Sequence, residues 1–105
     1  MGTLMGVLPA LSLVGVPAPA AAKTYRVRIT KFTFEPATLT ISAGDEVEWI
    51  NEDFAPHTAT EHETGAWDTG ELGRGDVASV TFDAPGSNDY YCVFHPHMRG
   101  RIVVV

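Results

Sequence analysis

Near the end of the chain stands Cys92-Val93-Phe94-His95-Pro96-His97-Met98, and Pro56-His57-Thr58 lies upstream. Cys92, His57, His95 and Met98 together offer one thiolate, two imidazoles and one thioether. Soft sulfur donors favour Cu(I), and imidazoles bind copper in both oxidation states. A trigonal His₂Cys plane with a weak axial Met is the donor set of a type 1, or blue, copper site. The spacing suits this chemistry. Two residues separate Cys92 from His95 and two more separate His95 from Met98, so one short loop can turn three donors toward one ion. His57 must then come from an adjacent strand, because one loop cannot surround an ion. Gly100 is expected to let the chain leave the loop for the last strand.

Each of these residues has a plainer interpretation. A lone cysteine is usually a small buried hydrophobe. It can also be a nucleophile with His95 as its base, which would make a thiol-based hydrolytic or zinc-binding domain. A free thiol in an oxidising compartment is a liability, which favours a metal-held thiolate. Met98 could be core filler. His62 lies five residues after His57; in a strand that odd spacing turns it to the other face, away from the donors. His97 alternates away from the ligands, exposed beside His95. A single Cys excludes an internal disulfide and any site needing several thiolates.

Such donors need a rigid frame, and from Lys23 onward the hydrophobic period is two. Tyr25, Val27 and Ile29 alternate with polar residues, as do Leu39 and Ile41, Val47 and Trp49, and Val80 and Phe82. This is the signature of strands with one buried face. Strands are expected at 24–30, 38–42, 46–51, 57–61, 77–82, 88–92 and 100–105. About seven short strands and no helical window predict an all-β, two-sheet sandwich with Greek-key connections. The β-branched run Ile102-Val103-Val104-Val105 belongs inside a sheet. Trp49 and Trp67 read as packing residues.

With 45% hydrophobic and 19% charged residues, this body is globular. Its net charge of −6 excludes the cationic face of a nucleic-acid binder. Ten of the 13 acids fall within residues 44–76, where Arg74 is the only base. A solvated acidic face is the favoured interpretation, and a surface that steers a basic redox partner is the functional one. No two carboxylates form a recognisable catalytic motif, so no enzyme is expected. Residues 1–22 carry no charge. Their apolar stretch Leu4–Val16 and the Ala-x-Ala patterns at 18–22 read as a signal peptide cut before Lys23, leaving 23–105 as the mature domain. An uncut membrane anchor is disfavoured by Pro9, Pro17 and Pro19, and no stable membrane insertion is expected.

The body resembles the cupredoxins, most closely the amicyanin-like members of the plastocyanin and pseudoazurin group. The matching stretches are Phe32-x-Phe34-x-Pro36, Gly44-Asp45-x-Val47-x-Trp49-x-Asn51, Pro56-His57 and Cys92-x-x-His95-Pro96-x-Met98-x-Gly100. The resemblance implies a Greek-key β-sandwich with one type 1 copper ion held by His57, Cys92, His95 and Met98. It implies one-electron carriage between larger redox proteins, a donor dehydrogenase and/or a cytochrome acceptor, docking near His95. The expected protein is a soluble periplasmic monomer. A copper-binding protein for delivery or tolerance is the alternative. The family also implies that the Thr58 N–H faces the Cys92 sulfur. Pro96 has no N–H, so Thr58 should be the single backbone donor there. Three positions depart from the pattern. Val93 replaces a hydroxyl residue, so no side-chain bond is expected between positions 58 and 93. His97 replaces an apolar residue on the docking face, which weakens any carry-over of methylamine dehydrogenase as the partner. Asn88 stands where relatives often have Tyr, so no tyrosine anchor is expected there.

Overall fold

A computed structural model describes residues 21–105; the uncharged segment assigned to export lies almost wholly outside them. The described residues form eight strands and no helix: β1 (Thr24–Thr30), β2 (Thr33–Glu35), β3 (Thr38–Ile41), β4 (Glu46–Asn51), β5 (Thr60–Glu61), β6 (Val77–Thr81), β7 (Gly86–Cys92) and β8 (His95–Val104). They make two four-stranded sheets, ordered β2-β1-β4-β6 and β3-β8-β7-β5. The first sheet joins β1 to β4 in parallel, and the second joins β3 to β8 in parallel; every other pairing is antiparallel. The expected all-β two-sheet sandwich is what the chain adopts.

The period of two becomes burial directly. Val27 and Ile29 on β1, Val47 and Trp49 on β4, and Ile102 and Val104 on β8 all point inward and are buried. β8 runs between β3 and β7, which accounts for its continuous β-branched run. The sheets meet through aromatic rings. Trp49 of β4 lies edge-on to Tyr90 of β7 at 5.5 Å and stacks on Trp67 at 5.3 Å. Tyr90 also meets Phe34 of β2 at 4.7 Å. Trp49 and Trp67 are thus the packing residues expected. The buried tyrosine is Tyr90, two places along β7 from Asn88, whose side chain instead accepts a hydrogen bond from Trp67 Nε1 at 3.2 Å.

Three boundaries differ from the sequence expectation. β2 is an extra strand, paired with β1 through a two-residue turn in which Lys31 and Phe32 have φ of 52° and 59°. Such turns usually announce themselves by Asn-Gly or Asp-Gly, and a Lys-Phe pair gives no such signal. The expected strand 57–61 is paired as a strand only at Thr60–Glu61, while His57 makes a separate bridge to Leu72. β8 begins at His95 rather than near Gly100, because Cys92 pairs with His95 and the ladder continues through the loop.

Gly100 sits mid-strand, and its role is space rather than chain reversal. A Cβ there would collide with the ring of Tyr90. Gly100→Ala should therefore destabilise the metal-free protein by about 1–3 kcal/mol, the usual cost of overpacking. Denaturant midpoints measure this, and an unchanged midpoint would contradict the close approach.

Glu61 closes the turn that follows β5. Its carboxylate accepts hydrogen bonds from the N–H groups of Thr64, Glu63 and Ala66 and from the Thr64 hydroxyl. These bonds hold it at about 2, against an ordinary 4.5. A depressed carboxylate gives stability that is complete above its unfolded value and is lost as pH falls through its folded value. Glu61→Gln should lower the melting temperature at neutral pH and flatten its decline between pH 4.5 and 2. Parallel declines for wild type and variant would rule out this contribution.

Candidate metal centre

The first half of the centre is built on Asn51, the fully buried last residue of β4. Its Nδ2 donates to the carbonyls of Ala55 at 2.9 Å and Leu72 at 2.8 Å. Its Oδ1 accepts the Asp53 N–H at 2.9 Å. These bonds curl residues 52–56 into a compact loop that delivers His57 to the interior. The backbone of His57 is then fixed by reciprocal bonds with Leu72, at 3.1 and 2.8 Å. Its ring is fully buried. Nδ1 lies 3.6 Å from Cys92 Sγ, and Nε2 lies 2.9 Å from Asp53 Oδ2. With Nδ1 turned to the sulfur side as an unprotonated donor, Nε2 carries the proton and donates it to Asp53.

Asp53 is held as firmly as it holds. Its Oδ1 accepts the Lys31 N–H at 2.8 Å and its Oδ2 the Phe32 N–H at 2.9 Å. Burial works against its ionisation, but the bonds from Phe32, His57 and Lys31 outweigh it and keep the carboxyl below its ordinary range. Those two amides belong to the β1–β2 turn. A left-handed conformation costs a non-glycine residue about 1–2 kcal/mol, and the charge-assisted bonds to Asp53 offset that cost. The turn brings the Phe32 ring edge-on to both imidazoles, 4.9 Å from His57 and 4.8 Å from His95.

The second half comes from β7 and β8. Cys92 is fully buried at the end of β7, Val93 and Phe94 form the turn, and His95 opens β8. Tyr91 pairs with Arg99 and Cys92 pairs with His95, so Pro96, His97 and Met98 bulge out of the ladder. His95 Nδ1 lies 3.6 Å from Cys92 Sγ, and the ring is half-buried. Met98 is 5% exposed. His97 faces solvent as expected, and so does His62, whose ring lies against Tyr91 at 5.4 Å.

The two halves are joined by Thr58. Its N–H points at Cys92 Sγ at 3.4 Å, the one backbone donor to that sulfur among the described residues. Its hydroxyl accepts the Val93 N–H at 3.0 Å. A bond between positions 58 and 93 therefore exists after all, made by the Val93 backbone where no side chain can make it. The Thr58 hydroxyl donates a hydrogen bond to Thr60, which donates to Asp68, at 2.9 and 3.0 Å.

One ligand atom each from His57, Cys92 and His95 lie within 4.8 Å of one another. A single ion about 2.3 Å from sulfur and about 2.0 Å from nitrogen would hold those atoms about 3.5–3.8 Å apart. Both sulfur-to-nitrogen separations, at 3.6 Å, fit one shared ion. Residues 21–105 match the family model for copper binding proteins of the plastocyanin/azurin family. The chain belongs to that family. It is 36% identical to the amicyanin of Paracoccus versutus over 99 residues, covering 85% of this chain and 67% of that protein. It is 32% identical to the plastocyanin of Prochlorothrix hollandica over 112 residues, covering 93% of this chain and 86% of that one. Among solved structures, an oxidised proline-to-alanine variant of amicyanin superposes with a TM-score of 0.74 at 32% identity, covering 78% of this chain and 82% of that one. A purple cupredoxin from Nitrosopumilus maritimus gives 0.73 at 26% identity, covering 77% and 99%. The cofactor of this cupredoxin is one type 1 copper ion.

Three residues that shape the centre were not singled out in the sequence for that role. Asn51 and Phe32 enter only as parts of matching stretches, and Asp53 is one acid among ten. Asp53 had one local signal, its place four residues before His57.

Proposed function

We propose that this cupredoxin is a soluble periplasmic one-electron carrier, with His57, Cys92 and His95 as equatorial ligands and Met98 on the axis. The observation that carries the proposal is the convergence of one thiol and two imidazole nitrogens within 4.8 Å, with Met98 buried three residues past His95. Copper, when bound there, supplies a Cu(II)/Cu(I) couple. The chain's own residues hold the donors in one arrangement. Bonds to Asp53 and Leu72 fix the His57 ring and backbone, and the turn to His95 is pinned by Thr58. Burial of His57, Cys92 and Met98 favours a resident ion over a cargo to be handed on. The Thr58 N–H withdraws charge from the sulfur; with a single such donor, more charge stays on the thiolate, which favours Cu(II) and holds the potential down.

The half-buried ring of His95 is the route for electrons to and from partner proteins. Around it the chain exposes Phe32, Val93 and Phe94, an apolar surface suited to brief docking with a donor dehydrogenase or a cytochrome. Residues 1–22 serve as the export signal, cut before Lys23. The protein acts as a monomer and not as an enzyme.

The visible spectrum of copper-loaded protein tests the proposal. Wild type should show an intense thiolate-to-copper band, and Cys92→Ala should abolish it while the apoprotein still folds. A blue band that survives in Cys92→Ala would remove Cys92 from the site. Met98→Leu should keep the colour and raise the reduction potential, because loss of an axial donor disfavours Cu(II) more than Cu(I). Voltammetry showing an unchanged potential would take Met98 off the axis.

A further inference from the structure

Phe32 combines three features that packing alone does not require. It is 47% exposed, it has a φ of 59°, and its ring edge touches both imidazoles. A bulky residue in that backbone conformation persists only where its surroundings impose it. Here they do so through one carboxylate. Asp53 receives the N–H groups of both left-handed residues and the Nε2 of His57. The same group therefore fixes the orientation of one imidazole and sets the ring that lies against the other.

We propose that Asp53 is a positioning residue for electron transfer, clamping the His57 ring directly and holding His95 in place through the Lys31–Phe32 turn. This rests on the carrier function above and adds to it a residue outside the ligand set. A ligating histidine whose second nitrogen donates to a carboxylate has its tautomer and ring plane fixed and its basicity raised. A clamp of this kind keeps the donors in one geometry in both oxidation states. The carboxylate's negative charge, 2.9 Å from His57 Nε2, also favours Cu(II).

Two variants in the full chain test the clamp. Asp53→Asn keeps an acceptor oxygen but loses the charge. It should lower copper affinity by about 10–100-fold, raise the reduction potential and leave the blue band in place. In the metal-free protein, the His57 Nε2–H signal in the NMR spectrum should lose its protection from solvent exchange. Phe32→Gly suits the left-handed backbone and removes only an exposed ring, so folding is preserved or improved. It should nevertheless weaken copper binding and shift the reduction potential. A structural role alone would not move the potential at unchanged stability. Wild-type affinity and potential in both variants, with His57 Nε2–H still protected in Asp53→Asn, would overturn the proposal. A wild-type protein that binds copper without a blue band would count against the carrier function, while the metal-free His57 comparison would still decide the clamp.

Discussion

The metal end of this protein depends on one buried amide. Asn51 ends β4, the strand that carries Trp49 into the core, and all three of its side-chain hydrogen bonds go to the segments that frame His57. A buried amide with its partners satisfied is directional in a way that apolar packing is not. Leu72 is positioned by Asn51 and then bonds the His57 backbone. Asp53 is positioned by Asn51 and then bonds the His57 ring. Core and site are therefore one construction: the strand that fills the interior with indole ends in the side chain that arranges the ligand loop.

The strong signals in the sequence were those with a period or a donor type. The alternation on β1, β4 and β8 gave two half-buried sheets, and the Cys-His-Met loop with His57 offered four donors, of which the fold brings His57, Cys92 and His95 together. What stayed hidden was held by long-range polar contacts. The β1–β2 turn has no turn residues, because Asp53, more than 20 positions away, supplies what Asn-Gly supplies locally elsewhere. The start of β8 was hidden because the pairing of Cys92 with His95 crosses a loop that reads as irregular. Val93 was read for its missing hydroxyl, while its backbone N–H makes the bond to Thr58.

The acidic composition resolves into several kinds of carboxylate. Asp45, Asp53 and Glu61 are largely withdrawn from solvent and each accepts backbone N–H groups. They act as local replacements for ladder hydrogen bonds where the chain turns. Glu48 on β4 and Glu52 just past its end pair with Arg26 and Arg28 of β1 on an exposed face, where solvent screens ion pairs. Asp89 pairs with Arg101 in the same way, and the acids left over outnumber the remaining bases. A face that reads as uniformly solvated thus contains three residues on which turns and a ligand depend.

The bulge at Pro96–Met98 separates the ligand loop from the register of the sheet. Tyr91 opposite Arg99 and Cys92 opposite His95 are the fixed points, and the residues between His95 and Arg99 lie outside the ladder. Pro96 and His97 are exposed there, whereas Met98 is buried in the core cluster. An exchange at either exposed position alters the surface beside His95 without touching the packing around Ile102 and Val104. The two-sheet body is thus a constant chassis, and the exposed half of the loop is its interchangeable part.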